Sequence, residues 1–411
     1  MKSKIESNSA ITAGLIVKKN ISLNKIKYTK IALVENTGLD FYKSRLRYAL
    51  FLQSLNYDVY AIVPDDGFVE KIKFSGINVI SVSNNIRGYG ILNKLIFAKH
   101  LIKIFRSNKF DIIHTYRLQP NIIGTFIAGT FTRAKIVNHI TGLGTAFIHS
   151  SIKYKFLQFI TKRLYRYNYL LFKQYSIFQN NQDISDLGLT KKSFCVKGSA
   201  VNEDQFSHNS ISIIKINNLK KQYDISQDDT INFLFVSRLL KEKGIVELIK
   251  GFKLASKNNK IQLLIVGWFD ENNKSSLNQN SLKNLIHGYN NIKFLGKQID
   301  IPEILSLIDV SILPTYYREG TPRFLLESMA MKKPIITTKM PGCDHLIHNN
   351  ENGILIEPRS VDAIEKSINL ICEKELKTMG EASYKIYNSD FSEKIVYNSL
   401  INIYTQQAND N

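Results

Sequence analysis

The chain has 411 residues, more than one hydrophobic core usually organises, so two domains are the expectation. Apolar residues make up 44% and charged residues 22%, the balance of a water-soluble globular protein, and there is no run of about 18 apolar residues that could span a bilayer. Three scattered cysteines, Cys195, Cys343 and Cys372, form no CxxC pair, which argues against a disulfide framework or a zinc site and fits a reducing compartment.

The formal charge of +20 is unevenly placed. Residues 1–210 hold 30 Lys and Arg against 12 Asp and Glu, or +18, and residues 211–411 hold 25 against 23, or +2. The first half is therefore expected to face something anionic: nucleic acid, a membrane surface or a phosphorylated substrate.

In chain order, residues 1–28 read as an N-terminal extension. Its apolar patch "AITAGLIV" (10–17) is only marginal as a signal h-region, and no convincing cleavage site follows it. From residue 29, short apolar runs alternate with longer amphipathic stretches, the pattern of βαβ units and a parallel sheet. The first half supplies strands at 30–36 ("KIALVEN"), 58–64, 78–83, 110–116, 135–141 and 175–180. After a polar segment at 207–229 with no strong strand, a second series runs at 231–237 ("INFLFVS"), 261–267, 291–296, 310–315, 334–339 and 352–358. The expectation is an α/β protein of two doubly wound, Rossmann-like domains, 29–206 and 230–390, joined by a linker at 207–229. The amphipathic C-terminal segment 391–411 must pack as a helix on one of them, with a return to the first domain as one possibility.

Ligands of doubly wound sheets sit at the carboxyl ends of the strands, and two such domains facing each other would make a cleft. After the strand ending at Ser237 comes "RLLKEKGIVELIKGF" (238–252), which puts Arg238 and Lys243 in a strand-to-helix turn with Gly244 opening the helix. Two cations at a helix N-terminus suit an anion, although a solvated basic loop has the same composition. After the strand ending at Pro314 comes "YYREGTPRFLLESMAMKKPIITT", with seven residues between Glu319 and Glu327. The "EGTP" turn would aim backbone N–H groups at a ligand, with Glu319 at its rim and Glu327 two turns into a helix. A carboxylate there can accept two neighbouring hydroxyls, as of a ribose; taken alone, each acid could equally be an ordinary helix glutamate. Cations for a diphosphate and acids for sugar hydroxyls are together the halves of a nucleotide-sugar site.

These pieces, with "LLIVGWFDE", "IKFLGKQIDIPEIL" and "NGILIEP", resemble the C-terminal domain of the retaining GT-B glycosyltransferases of family four. The first half fits more loosely through 32–66, "FDIIHTYRLQPNIIG" (110–124) and "HITGLGTAF" (139–147). It looks most like bacterial transferases that extend undecaprenyl-diphosphate-linked sugars, such as N-acetylgalactosaminyltransferases. The resemblance implies a nucleotide-sugar donor, UDP-linked, and a lipid-linked saccharide acceptor. It implies Arg238 and Lys243 on the donor diphosphate, Glu327 on the ribose and Glu319 on the donor sugar. The backbone of Gly320, Thr321, Pro322 and Arg323 would approach the transferred sugar, with Gly267 and Gly38 on the donor side. Many relatives carry a histidine directly before the Gly of "GLG"; here that position is Thr141, and His139, two residues earlier, might substitute or be a core histidine. His114 is a second candidate. No cofactor and no metal are implied: "PDD" (64–66) and "DD" (228–229) do not make a convincing metal site, and the leaving diphosphate can take the acceptor proton. Alternatives of other chemistry on this fold are a nucleotide-sugar epimerase and a phosphorylase, the latter wanting a pyridoxal lysine that the sequence does not present.

Residues 151–175 interleave cations, among them Lys162, Arg163 and Arg166, with Tyr, Phe and Leu, and 91–110 has the same character. Such stretches suit an anionic membrane surface, or are core aromatics with solvated cations. The expected location is cytoplasmic, peripheral on the cytoplasmic face of the inner membrane. No nucleic-acid module appears, so no nucleic-acid partner is expected.

Overall fold

The computed structural model describes residues 29–82, 91–144, 147–148, 151–207, 211–225, 229–271 and 273–409. They form two compact units. Unit 1 comprises the chain to Lys197 together with the residues from Val396 on, and unit 2 runs from Gly198 to Ile395.

Unit 1 is built on a seven-stranded parallel sheet: β1 (Lys30–Val34), β2 (Asp58–Pro64), β3 (Asn78–Val82), β4 (Ile112–Tyr116), β5 (Lys135–Ile140), β6 (Gln174–Phe178) and β7 (Ser193–Cys195), in the order β3-β2-β1-β4-β5-β6-β7. The central strands are buried on both faces, as helices packed on each side require, with His114 and Thr115 as polar exceptions on β4. Four helices matter below: α1 (Gly38–Ser44), α2 (Ile91–Asn108), α3 (Thr125–Phe131) and α4 (Ile152–Leu171). Unit 2 has six parallel strands, β8 (Ile231–Arg238), β9 (Ile261–Trp268), β10 (Ile292–Phe294), β11 (Val310–Leu313), β12 (Ile335–Thr338) and β13 (Gly353–Ile356), in the order β10-β9-β8-β11-β12-β13. Its key helices are α5 (Ile245–Ala255) and α6 (Arg323–Ala330). In each sheet the order reverses once, between β1 and β4 and between β8 and β11. At such a point successive connections leave to opposite faces and open a crevice at the carboxyl ends.

Two features differ from the sequence reading, and a third, the course of the last helix, is one that reading leaves open. β7 is a three-residue edge strand paired with β6, too short to carry a pattern. The polar segment expected as a linker contains a helix, Ile213–Gln222, and residues 198–206 belong to unit 2, where Val201 and Phe206 enter the core. The last helix, α7 (Glu393–Asn409), begins in unit 2 and continues in unit 1 from Val396, where Tyr397 and Tyr404 pack against Tyr48. Residues 1–28, and Asp228 of the "DD" pair, lie outside the described residues. Among the described residues no helix is long and apolar enough to cross a membrane.

Tyr404 also reaches the sheet, its hydroxyl 2.5 Å from His114 Nδ1 on β4. His114 and Tyr404 are both buried, His114 Nε2 has no partner among the described residues, and without this contact Nδ1 would keep only the longer one to the Tyr116 hydroxyl at 3.3 Å. Tyr404→Phe should therefore lower unit 1's stability by about 1–3 kcal/mol in urea denaturation; an unchanged midpoint would show the contact to be incidental.

Candidate active site

The site grows from two loops that leave the unit 2 sheet on either side of its reversal. After β8 the chain makes one 3₁₀ turn, Lys241–Lys243, and passes through Gly244 at φ 76° into α5. A Cβ at Gly244 would collide with the Pro314 carbonyl, so the two loops touch where only glycine fits. The Glu242 carbonyl accepts from Thr315 Oγ1 at 3.1 Å and from the Tyr316 N–H at 2.8 Å, tying the β8 loop to the β11 loop.

This junction places Lys243 against the ring of Tyr317, 4.8 Å from its centroid, and in an ion pair with Glu319. Lys243 is 9% exposed. Burial first, and then the Arg238 guanidinium, pull its ammonium down to about 7, against a smaller opposing effect of Cys343 and Glu242. Arg238 at the end of β8 pairs with Asp270 beyond β9, Nη1 to Oδ2 at 3.0 Å, and is more open. The turn after Glu319 is closed from behind by Gly342, where a Cβ would strike the Gly320 carbonyl, and by His345, whose Nε2 lies 3.4 Å from Thr321 Oγ1. Pro322 then caps α6, and one turn in, Glu327 is buried and holds Arg323 Nε at 2.6 Å.

Arg238, Lys243, Glu319, Gly320, Thr321, Pro322, Arg323 and Glu327 thus all lie on the β8 and β11 exits of one sheet. Gly267 stands behind them on β9, where a side chain would meet the carbonyl of its paired residue Ser237, so close strand packing requires its small size. Trp268 follows it, half exposed, with Lys297 Nζ 5.6 Å from the ring centroid.

The other expected residues are in unit 1. Gly38 opens α1, which Thr37 caps by accepting from the Asp40 N–H at 2.9 Å. A Cβ at Gly38 would strike the Asp66 carboxylate, whose other oxygen accepts from the Leu39 N–H at 3.4 Å, so an acid already faces that helix start. His139 is buried, stacked on Tyr116 at 5.2 Å and on His114 at 5.6 Å, and neither ring nitrogen has a partner among the described residues. Burial, Arg45 and His114 hold its pKa well below the usual imidazole value, so the ring is neutral. Thr141 is half-buried just past β5, ahead of Gly142 at φ 107°. On α4, Lys162 lies 5.8 Å from the Phe147 ring centroid and Arg163 5.1 Å from that of Phe159, while Arg166 Nε donates to the Leu187 carbonyl at 3.2 Å.

One constellation was missed. At the unit 1 reversal, Glu35 directly after β1 is buried and binds Arg45 at 3.4 Å and Arg117 at 3.1 Å, and Arg117 also reaches Asp40 at 3.1 Å. Arg117 directly follows β4 at φ 70°, a costly backbone for a non-glycine residue. The available signal was position: a lone acid and a lone arginine immediately after the two strands that flank the reversal.

Comparison with known proteins identifies this architecture. The family Glycosyl transferases group 1 matches residues 215–388, which hold β8 to β13, and Glycosyl transferase 4-like matches residues 30–180, which hold β1 to β6. The chain belongs to the GT-B glycosyltransferases. The N,N'-diacetylbacillosaminyl-diphospho-undecaprenol alpha-1,3-N-acetylgalactosaminyltransferase of Campylobacter jejuni is 24% identical over 91% of this chain and 98% of its own. The UDP-Gal:alpha-D-GlcNAc-diphosphoundecaprenol alpha-1,3-galactosyltransferase of Escherichia coli is 23% identical over 80% of this chain and 84% of its own. Among solved structures, Anabaena HepE in complex with UDP-glucose superposes with a TM-score of 0.72 at 18% identity, covering 92% of this chain and 99% of that one.

In this glycosyltransferase the Gly244 junction sets where Lys243 stands. Gly244→Ala should cost about 2–4 kcal/mol, the sum of overpacking and a left-handed alanine. Denaturation of the purified variant checks this; an unchanged midpoint would mean that the β11 loop yields freely.

Proposed function

We propose that the enzyme is a retaining transferase that moves a hexose or N-acetylhexosamine from a UDP-sugar to a saccharide carried on a lipid diphosphate, in bacterial surface polysaccharide or glycan assembly. The observation that carries this reading is the buried Lys243, set beside Arg238 and in contact with Glu319 at the sheet reversal of unit 2. The printed activities of the Campylobacter and E. coli relatives, both alpha-linking and both acting on diphospho-undecaprenol saccharides, support the acceptor class. From an alpha-linked nucleotide-sugar, an alpha product means retention.

In the step we infer, the bond from the donor's anomeric carbon to the diphosphate oxygen breaks and a bond to the acceptor oxygen forms on the same face. The acceptor's proton passes to the leaving diphosphate, a route that asks nothing of the enclosed His139. Arg238 and Lys243 meet the charge that develops on the leaving group. Glu319 takes the donor sugar's hydroxyls, Glu327 the ribose, and the Gly320–Arg323 backbone lies along the transferred sugar. Each cation is already held by a carboxylate, so the donor takes over prepared partners rather than ordering loose chains.

Arg238→Ala and Lys243→Ala should each lower kcat/KM by about 100-fold or more, and Glu327→Ala should mainly raise the donor KM; full activity without both cations would refute the assignment. The charge stabilisation comes from side chains, so transfer should survive EDTA. Loss on chelation, restored by Mg²⁺ or Mn²⁺, would count against it.

The Lys243 ammonium gives a pH signature. A bound diphosphate raises its pKa, so binding must take up a proton once the pH exceeds about 7. Affinity for the nucleotide-sugar, whose diphosphate diester does not itself titrate in this range, should be constant below pH 6.5 and fall by up to about tenfold per unit above 7. Calorimetry in buffers of different ionisation heat reads both the affinity and the proton. Lys243→Arg should flatten the profile, and an equally steep profile in that variant would assign the titration elsewhere.

We further infer that unit 1 docks peripherally on an anionic membrane, on the cytoplasmic face, through α4. That helix is turned inside out. Its buried stripe is Thr161, Tyr165 and Asn168, with Asn168 Nδ2 donating to the Ile122 carbonyl at 2.8 Å. Its exposed side carries Ile152 (88% exposed), Phe156, Phe159, Tyr167 and Leu170 (82%) among Lys153, Lys155 and Arg163. Each cation near an anionic leaflet contributes about 1 kcal/mol, screened by salt, and inserted aromatics add the rest. Because Arg166 serves the Leu187 carbonyl, the test leaves it in place. Flotation with anionic vesicles should fall as salt rises, and Phe156→Ser with Phe159→Ser and Lys162→Glu with Arg163→Glu should abolish it while nucleotide-sugar binding persists. Undiminished flotation would remove α4 as the docking element.

A further inference from the structure

The sheet of unit 1 has a second end, and it is not closed. At the amino ends of β1, β4 and β5, away from the reversal, lies a cavity of about 1180 Å³, as large as a small-molecule site. Its lining mixes apolar walls from Tyr57, Phe105, Phe110 and Phe131 with four cations, Arg106, Lys109, Arg133 and Lys135. Asp111 is the sole carboxylate residue in the lining, and one of its oxygens already accepts from the Lys30 N–H at 2.7 Å. Among the described residues Lys109, Arg133 and Lys135 have no ion-pair partner, and Arg106 rests on the Phe131 ring at 5.1 Å.

Cations near helix C-termini are ordinary, and α2 and α3 both end here. Those ends amount to about half a negative charge each, and with Asp111 they offset about two of the four positive charges. The remainder is met only by water, since Arg106, Lys109 and Arg133 are exposed and Lys135 is half-buried. Lys109, like Lys192 and Lys332, holds a positive φ. It follows α2 at φ 46°, in the left-handed backbone that favours glycine or asparagine. The helix end does not need its side chain, because Asn108 Nδ2 already donates to the Ile104 carbonyl at 2.9 Å. A lysine stands where the local backbone would prefer glycine, and its ammonium-bearing chain lines the cavity.

We propose that this cavity is a second ligand site, for a phosphate-bearing ligand, separate from the donor site in unit 2. Two sources share that chemistry: a soluble phosphorylated metabolite, and the headgroup of a membrane phospholipid whose apolar part meets Phe131. Lys109→Gly is the informative variant, since it removes the cation and relaxes the backbone together.

The test uses the full chain carrying Arg238→Ala and Lys243→Ala, so that the donor-site cations contribute nothing. Calorimetry with pyrophosphate should find one site per chain, weakened at least tenfold by Lys109→Gly with Arg133→Gln, and Lys109→Gly alone should melt no lower than its parent. Parallel flotation on phosphatidylglycerol vesicles separates the sources: a matching loss in the double variant identifies a headgroup, and unchanged flotation beside lost pyrophosphate binding identifies a soluble ligand. No pyrophosphate binding, unchanged affinity in the double variant, or a lowered melting temperature for Lys109→Gly would each overturn the proposal.

Discussion

The candidate active site depends on one backbone oxygen. β8 and β11 are neighbours whose connections leave to opposite sides, so nothing in the sheet itself holds their loops together. The Glu242 carbonyl does so, accepting from both Thr315 and Tyr316. Once those bonds form, the loops approach so closely that Gly244 must lack a side chain, and Lys243 is carried under Tyr317 onto Glu319. The spacing of the two glutamates follows from the same geometry. Glu319 must sit before the turn to meet Lys243, and Glu327 must come after it, on the buried face of α6.

Burying an ammonium costs several kcal/mol unless a partner is supplied. Here the partner of Lys243 is Glu319, another residue of the candidate site, and the pattern repeats with Arg323 on Glu327. Charged groups that neutralise one another keep their places while no ligand is bound. In the function proposed above, an entering diphosphate would bring negative charge to Lys243 and Arg238 and so offset the burial that lowers Lys243. The site is therefore poised by its own mutual pairing, without strain in unit 2 being required.

How much of this could be read from the sequence follows from what carries a local signal. The two series of six strands were legible because buried parallel strands are continuous apolar runs, and the strand ends then pointed to Arg238, Lys243 and the glutamates. β7 was not, because three residues at an edge carry no period. The helix Ile213–Gln222 was hidden by its polar composition, for it buries no residue fully. That the Ser237 backbone needs the small size of Gly267 was not legible, because a glycine's local sequence cannot say which neighbour approaches it. Glu35 and Arg117 are two isolated charges far apart in the chain, and only the sheet order makes them neighbours. α4 was read as aromatic and basic, but periodicity alone could not tell which face turns inward. Its buried stripe is polar, the reverse of the usual rule.

The strong charge of the first half shows why a composition sum points to a partner class without locating it. Arg45 and Arg117 belong to that excess, yet they are spent on Glu35 and Asp40 at the carboxyl end of the sheet. Arg166 is spent on a helix-end carbonyl. Lys153, Lys155 and Arg163 stand on an exposed apolar face, and Arg106, Lys109, Arg133 and Lys135 gather at the opposite end of the strands around a cavity. Long-range fields add these charges together and draw anions toward the whole unit, but what each can hold is decided within a few ångströms, by whether a carboxylate already stands beside it. Where one does, the cation organises the fold. Where none does, as for the described cations on the exposed face of α4 and around the cavity, the charge is left to water or to a ligand.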